Sequence, residues 1–206
     1  MENKHRKTLW IAAVCIVLVI AGAVFFFETE DDVAGNGMFR ELVASAEQGD
    51  AEAQFLVGKC YAEGKDTEKN DVEAAVWYQR AAQQGNMHAQ NALGLCYFSG
   101  RGVKQDFAKA AELFQSAADK GLVSAVSNLG VCYYNGKGVS PDFKKASELF
   151  QAAADQGYIP AVFNLAECYE FGRGVTLDLA KAAELYKKAS DAGMPAAGRK
   201  LESLRK

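Results

Sequence analysis

Cys96 and Tyr97 stand just before the turn Gly100-Arg101-Gly102 in the stretch LGLCYFSGRGV. A thiol beside a glycine turn has the parts of a nucleophile next to an anion cradle, because backbone N–H groups bared by glycine can hold a phosphate or an oxyanion. Glu52, His88 and Ser124 supply a second set, an acid, a base and a hydroxyl. The chain's five cysteines supply a third, the makings of a metal site or a disulfide. Each chemistry demands its own geometry, and the spacing of these residues decides which is available.

Cys60, Cys96, Cys132 and Cys168 are separated by 36 residues each time, and so are Tyr61, Tyr97, Tyr133 and Tyr169. A second block keeps the step: VEAAVWYQRAAQQG at 72–85, AKAAELFQSAADKG at 108–121, KKASELFQAAADQG at 144–157 and AKAAELYKKASDAG at 180–193. Four tandem units therefore cover 50–85, 86–121, 122–157 and 158–193. A fixed period of this length is the signature of a solenoid. Equivalent positions in stacked units lie one helix-packing distance apart, roughly 8–10 Å. That exceeds the ~7 Å between Cα atoms that a disulfide spans. It also exceeds the ~3 Å of a base–nucleophile hydrogen bond. No CxxC, HExxH or GxSxG motif occurs. The cysteine column continues at Leu204, so a small apolar side chain serves there equally well. The cysteines thus read as reduced, buried packing residues, with no disulfide, metal, cofactor or catalytic residue expected.

The elements follow from the pattern inside each unit. Ala125, Leu129, Cys132 and Tyr133 fall on one helical face, and Gly136 is placed to close that helix in a left-handed conformation. Asp142 is an N-cap acceptor for the next helix, with Asp106, Asp178 and Asn70 or Asp71 in the same place. Ala146, Leu149, Phe150 and Ala153 form its buried stripe, and Gly157 ends it. Gly58, Gly94 and Gly130, with Ala166 in the fourth unit, precede the cysteine by two and imply close approach of the partner helix. FRELVASAEQG at 39–49 reads as a second helix without its first, and MPAAGRKLESLRK at 194–206 as a first helix without its second. Both are capping elements.

The N-terminus follows a different rule. Leu9 to Phe27 runs 19 residues without a charge. As a helix it would span about 28 Å, one bilayer core. KHRK precedes it and Glu28, Glu30, Asp31 and Asp32 follow, an asymmetry that keeps the N-terminus cytoplasmic. The reading is a basic tail at 1–8, a transmembrane anchor at 9–27, an acidic, Gly-rich linker at 28–37 and a repeat domain at 38–206. Ala21-Gly22-Ala23 would also suit signal cleavage, which would release a secreted domain. The net charge of −3 and the absence of a basic face interleaved with aromatics argue against nucleic acid.

The recurring A-x-x-x-L-G-x-x-Y-x-x-G-x-G-V, then D-x-x-K-A, an aromatic and A-A-x-x-G, resembles the Sel1-like repeat, a relative of the tetratricopeptide repeat. Repeat 1 departs from it, with GKDTEKND in place of GxGV. The resemblance covers about 39–204 and implies an all-α, right-handed α-α superhelix of four 36-residue hairpins whose first helices line a concave face. It implies an adaptor that binds a protein or peptide there. Phe55, Lys59, His88, Asn91, Phe98, Ser127, Tyr134, Phe163, Glu167 and Glu170 are the expected contact residues, because these columns vary from unit to unit while the packing columns recur. The expected setting is a bacterial inner membrane with the domain in the periplasm. The alternative functions are cell-wall glycan binding and hydrolysis of cell-wall or β-lactam compounds.

Overall fold

The computed structural model describes residues 18–20, 23–25 and 30–204. Ten α-helices run in order: α1 Glu30–Glu47, α2 Ala51–Glu63, α3 Asp71–Gln83, α4 Met87–Ser99, α5 Phe107–Ala118, α6 Val123–Asn135, α7 Phe143–Asp155, α8 Ile159–Phe171, α9 Leu179–Asp191 and α10 Pro195–Ser203. Each helix packs on the next in sequence, so α2–α3, α4–α5, α6–α7 and α8–α9 form four stacked hairpins. At the two ends α1 lies against α2, and α10 against α9.

The punctuation also stands where the sequence put it. Gly64, Gly100, Gly136 and Gly172 close the first helices with φ between 63° and 72°, each donating its N–H to the carbonyl of the repeat's cysteine. Asn70, Asp106, Asp142 and Asp178 cap the second helices by accepting from N–H groups of their first turns. In repeat 1 the cap is Asn70 rather than Asp71.

The recurring small residue before the cysteine has a specific partner. A Cβ added at Gly58, Gly94 or Gly130 would lie 2.7 Å from the ring of Tyr78, Phe114 or Phe150 on the second helix of the same hairpin. That ring is the centre of each hairpin's core, surrounded by buried alanines such as Ala110, Ala125, Ala146 and Ala161. In repeat 4 the small residue is Ala166 and the ring is Tyr186, both fully buried. Leu149 is the one member of the expected repeat 3 stripe that remains half-buried.

Loops add the contact between repeats. Gly102, Gly138 and Gly174 have positive φ, and a Cβ there would fall within 2 Å of the Asp71, Phe107 or Phe143 carbonyl oxygen. Each of these carbonyls belongs to the first residue of the second helix in the preceding repeat. The second glycine of GxG is therefore a docking point between repeats as well as a turn residue. Asp66 holds the same place in repeat 1 with φ 59°. Thirty-six residues before Asp71 stands Gly35, inside α1 instead of at a helix start. No helix start at that register demands a glycine of repeat 1, which accounts for its departure from the GxGV pattern.

Two expectations change at the N-terminus. Leu18–Ile20 (β1) and Ala23–Phe25 (β2) pair antiparallel, with Val19 opposite Val24. The transmembrane helix expected at 9–27 is not shown: the part of the stretch that is described, Leu18–Ile20 and Ala23–Phe25, is extended. The rest of 9–27 and the tail 1–8 lie outside the described residues. No helix among the described residues is long and apolar enough to cross a membrane. The linker expected at 28–37 is helical from Glu30, because α1 runs back through it. Three acidic residues at 30–32 match the positive end of a helix dipole.

Candidate functional site

The first helices α2, α4, α6 and α8 form a continuous layer, tied laterally from repeat to repeat. Asn86 at the start of α4 donates to Glu52 of α2 at 2.8 Å, and Asn128 of α6 donates to Asn91 of α4 at 2.9 Å. The rings of Phe55 and His88 lie 5.7 Å apart across α2 and α4. Arg173, in the turn after α8, donates to the Tyr134 hydroxyl at 2.7 Å.

On this face every hairpin carries one half-buried aromatic ring against its central ring. Phe55 lies 5.9 Å from Tyr78, Phe98 6.4 Å from Phe114, Tyr134 6.2 Å from Phe150 and Phe163 5.4 Å from Tyr186. Phe55 and Phe163 come from one column of the repeat, Phe98 and Tyr134 from another. The columns vary, but the pairing does not. Each of these expected contact residues packs one side on the core of its own hairpin and keeps one edge exposed. Phe98 and Tyr134 also meet Phe107 and Phe143 edge-on, at 5.2 and 5.4 Å.

The remaining expected contacts divide. Lys59 and His88 are exposed, and Lys59 has only a loose ion pair to Glu63 at 3.9 Å. Asn91 is engaged by Asn128. Ser127 is corrected: it is 2 % exposed and cannot meet a partner, because its short side chain sinks where Phe55 and Phe163 stand proud. Glu170 is turned inward, accepting from Tyr186 Oη at 2.5 Å and from Lys200 at 2.9 Å, while Glu167 lies 3.5 Å from Lys200. These two carboxylates pin α10 to the last hairpin.

Between α6 and α8 the layer opens into a depression of about 160 Å³ lined by Val131, Tyr134, Asn135, Phe150, Asn164 and Glu167. Asn128 and Asn164 belong to a column, Leu56, Ala92, Asn128 and Asn164, that sequence reasoning passed over. The change from apolar to amide along it was the available signal. An amide offers donor and acceptor together, so it can pair with a peptide backbone of any sequence. Wider hollows of about 400 and 320 Å³ lie on the second-helix side, flanked by Lys144, Glu148 and Gln151 and by Gln79, Glu112 and Ser116. They are larger, and Leu165 and Val175 in one and Leu93, Tyr97 and Leu113 in the other give them apolar floors beneath charged and amide side chains; the first-helix depression combines a ring, an aliphatic wall and amides.

The chemistry suggested by residue type finds no geometry. Glu52 is engaged by Asn86, His88 is stacked on Phe55, and among the described residues no hydrogen bond joins either to Ser124. Cys60, Cys96, Cys132 and Cys168 carry free thiols; three are buried, and Cys60 is half-buried at the first hairpin. Burial pushes the Cys132 thiol up to about 11 and the Cys168 thiol up to about 12, which suppresses the nucleophilic thiolate. Cys96 and Cys60 are raised for the same reason, Cys60 also by nearby Asp66. No group of three metal-binding side chains occurs among the described residues.

Comparison with known proteins agrees with this architecture. The Sel1 repeat family model matches residues 51–86, 88–122, 123–158 and 159–194. The crystal structure of c5321, a protective antigen present in uropathogenic Escherichia coli strains, is 40% identical with a TM-score of 0.71; the match covers 77% of this chain and 34% of that one. A Sel1 repeat protein from Oxalobacter formigenes is 31% identical with a TM-score of 0.78, over 83% of this chain and 68% of that one. The chain thus spans about a third of the length of the E. coli protein. No curated protein sequence matches it.

Proposed function

Because the chain belongs to the Sel1 repeat family, we propose that it serves as an adaptor, a repeat domain held at a membrane by residues 9–27 that receives a protein or peptide on its first-helix face. Sel1 repeats mediate protein–protein interaction. The observation that carries the choice of face is the depression between α6 and α8, where Asn164 and Asn135 flank Val131 and Tyr134. A partner strand laid there meets amides for its backbone and an apolar wall for one side chain. Lys59 and His88 extend the same face toward the first repeat. The apolar run with KHRK before it and acidic residues after it supports an inner-membrane anchor with the domain outside the cytoplasm.

A photo-crosslinking residue at 131 or 164, compared with one at 151 on the second-helix side, tests the face in intact membranes. Protein adducts at 131 and 164 alone are expected; adducts at 151 alone would move the partner to the opposite side, and adducts to glycan fragments would replace the peptide by cell wall. The anchor is tested separately. A reporter fused after Lys206 that works only outside the cytoplasm should be active, and the chain should survive an alkaline wash of membranes. Recovery of a soluble form beginning at Val24 would remove the anchor.

A further inference from the structure

At the edge where the first helices end, a basic residue stands at the tip of every turn, beside the acidic N-caps Asp106, Asp142 and Asp178 of the helices that follow. The middle residue of each turn after a first helix is basic: Lys65, Arg101, Lys137 and Arg173. All four are exposed, and none takes part in an ion pair among the described residues. At the opposite edge the column reads Glu47, Gln83, Asp119, Asp155 and Asp191. Acidic residues at the C-terminal ends of helices oppose the helix dipole, but Asp119 and Asp155 accept from Gln115 and Gln151 one turn back and Asp191 pairs with Lys187, which offsets that cost. Basic residues beyond the first helices suit the dipole, and Lys137 and Arg173 also lie over the rings of Phe107 and Phe143; the same edge exposes further apolar side chains. Val72, Phe143, Phe171, Leu177 and Leu179 are exposed on it, at 41 to 58 %. Phe171 lies between two cations, with Arg173 5.4 Å and Lys200 4.9 Å from its ring.

The course of α1 says what this edge faces. α1 ends at a positive-φ glycine turn, Gly49, of the kind that ends the second helices at Gly85, Gly121, Gly157 and Gly193. It therefore runs in the direction of the second helices and starts at the basic edge. It has 18 residues against 13 for α3, α7 and α9, so its start projects past them toward the apolar run at 9–27. We propose that this basic and apolar edge is a membrane-contact surface: the turns carrying Arg101, Lys137 and Arg173 lie on anionic phospholipid headgroups, and Phe171, Leu177 and Leu179 enter the interfacial layer. The proposal rests on the anchor reading for its proximity to a bilayer. Cations near such a surface each add attraction, and apolar tips add burial. The acidic edge then points away from the membrane and the first-helix face stands across it, open from the side.

The full chain with Leu179→Trp, reconstituted in vesicles containing brominated phospholipid, reads the contact as quenching of the added emission above the parent chain. Trp10 and Trp77 give the parent baseline. In vesicles with an anionic phosphatidylglycerol fraction, most of the added emission should be lost. It should return in purely zwitterionic vesicles, at about 1 M salt where the Debye length falls to about 3 Å, and in a chain also carrying Arg101→Gln, Lys137→Gln and Arg173→Gln. Gln156→Trp, at the opposite edge, should stay unquenched throughout. Equal quenching at 179 and 156, or quenching at 179 indifferent to lipid charge and salt, overturns the proposal. No quenching at 179, with the glutamine variant instead losing capture of a purified acidic partner, overturns it in favour of a protein. Flotation of the parent chain with zwitterionic vesicles reports the anchor alone, so its failure is distinguishable from failure of the edge.

Discussion

Gly138 and Gly121 both have positive φ, yet they answer to different constraints. A Cβ on Gly138 would lie 1.9 Å from the Phe107 carbonyl oxygen, while one on Gly121 would meet nothing within 4 Å. Gly121→Ala should cost about 1 kcal/mol, the strain of a left-handed alanine. Gly138→Ala should cost about 3 kcal/mol or more, because the turn must leave the preceding helix start. Urea unfolding separates the two, and equal costs would mean that the loop contact contributes nothing. The buried thiols give a pH dependence of fixed sign. Cys132 titrates near 11 when folded, because burial disfavours the thiolate, against about 8.5 in an unfolded chain. Its contribution is full below the unfolded value and is lost as pH climbs toward the folded one. Stability should therefore fall between about pH 8.5 and 11, and Cys132→Ala should flatten part of that fall. A profile unchanged by Cys132→Ala would rule out this thiol as its source.

At the scale of the helix pair, what looked like variation is a recurring contact drawn from either of two columns, one in repeats 1 and 4 and the other in repeats 2 and 3. Phe98→Ala and Tyr134→Ala each remove a ring packed on the hairpin's central Phe114 or Phe150. Each should cost about 1–2 kcal/mol of stability, less than a fully buried ring because one edge is solvated. Asn135→Ala, exposed beside the same depression, should stay within about half a kcal/mol. Thermal unfolding of the three variants checks the order, and indifference to Phe98→Ala would restore the ring to a purely binding role. Helix ends and hairpin boundaries were legible because a cap or a closing glycine is a local requirement, met by Asp142 and Gly136 within a few residues. The ring pairing was not legible, since it joins residues of two helices and can be satisfied from either of two columns. Ser127 misled for the same reason: its column is exposed in Phe55 and Phe163 only because those side chains are long. The inter-repeat task of Gly102, Gly138 and Gly174 was hidden because the turn alone already explains a glycine.

Across the whole molecule each repeat touches only its neighbours, so disturbance should spread locally. Ala117→Glu places a carboxylate in a fully buried column at the junction of α5 and α6. Amide hydrogen exchange should show protection lost first in α4 to α7 and retained longest in α9 and α10, where Glu167 and Glu170 hold Lys200. Simultaneous loss along the entire stack would show that the domain opens as one unit. The same neighbour rule bears on how such a gene can lengthen. Tandem copying in steps of 36 residues works only for units whose turn tolerates a predecessor, and Gly102, Gly138 and Gly174 qualify repeats 2, 3 and 4. Repeat 1 does not qualify: with Asp66 in that position, an internal copy would drive a side chain into the carbonyl before it. Glu202, at the register of Gly58, Gly94, Gly130 and Ala166, sets a matching bar at the other end, where no ring could approach α10. Copying by unequal crossing-over is thereby confined to repeats 2, 3 and 4, while repeat 1 and α10 lack the residues that a copied unit needs.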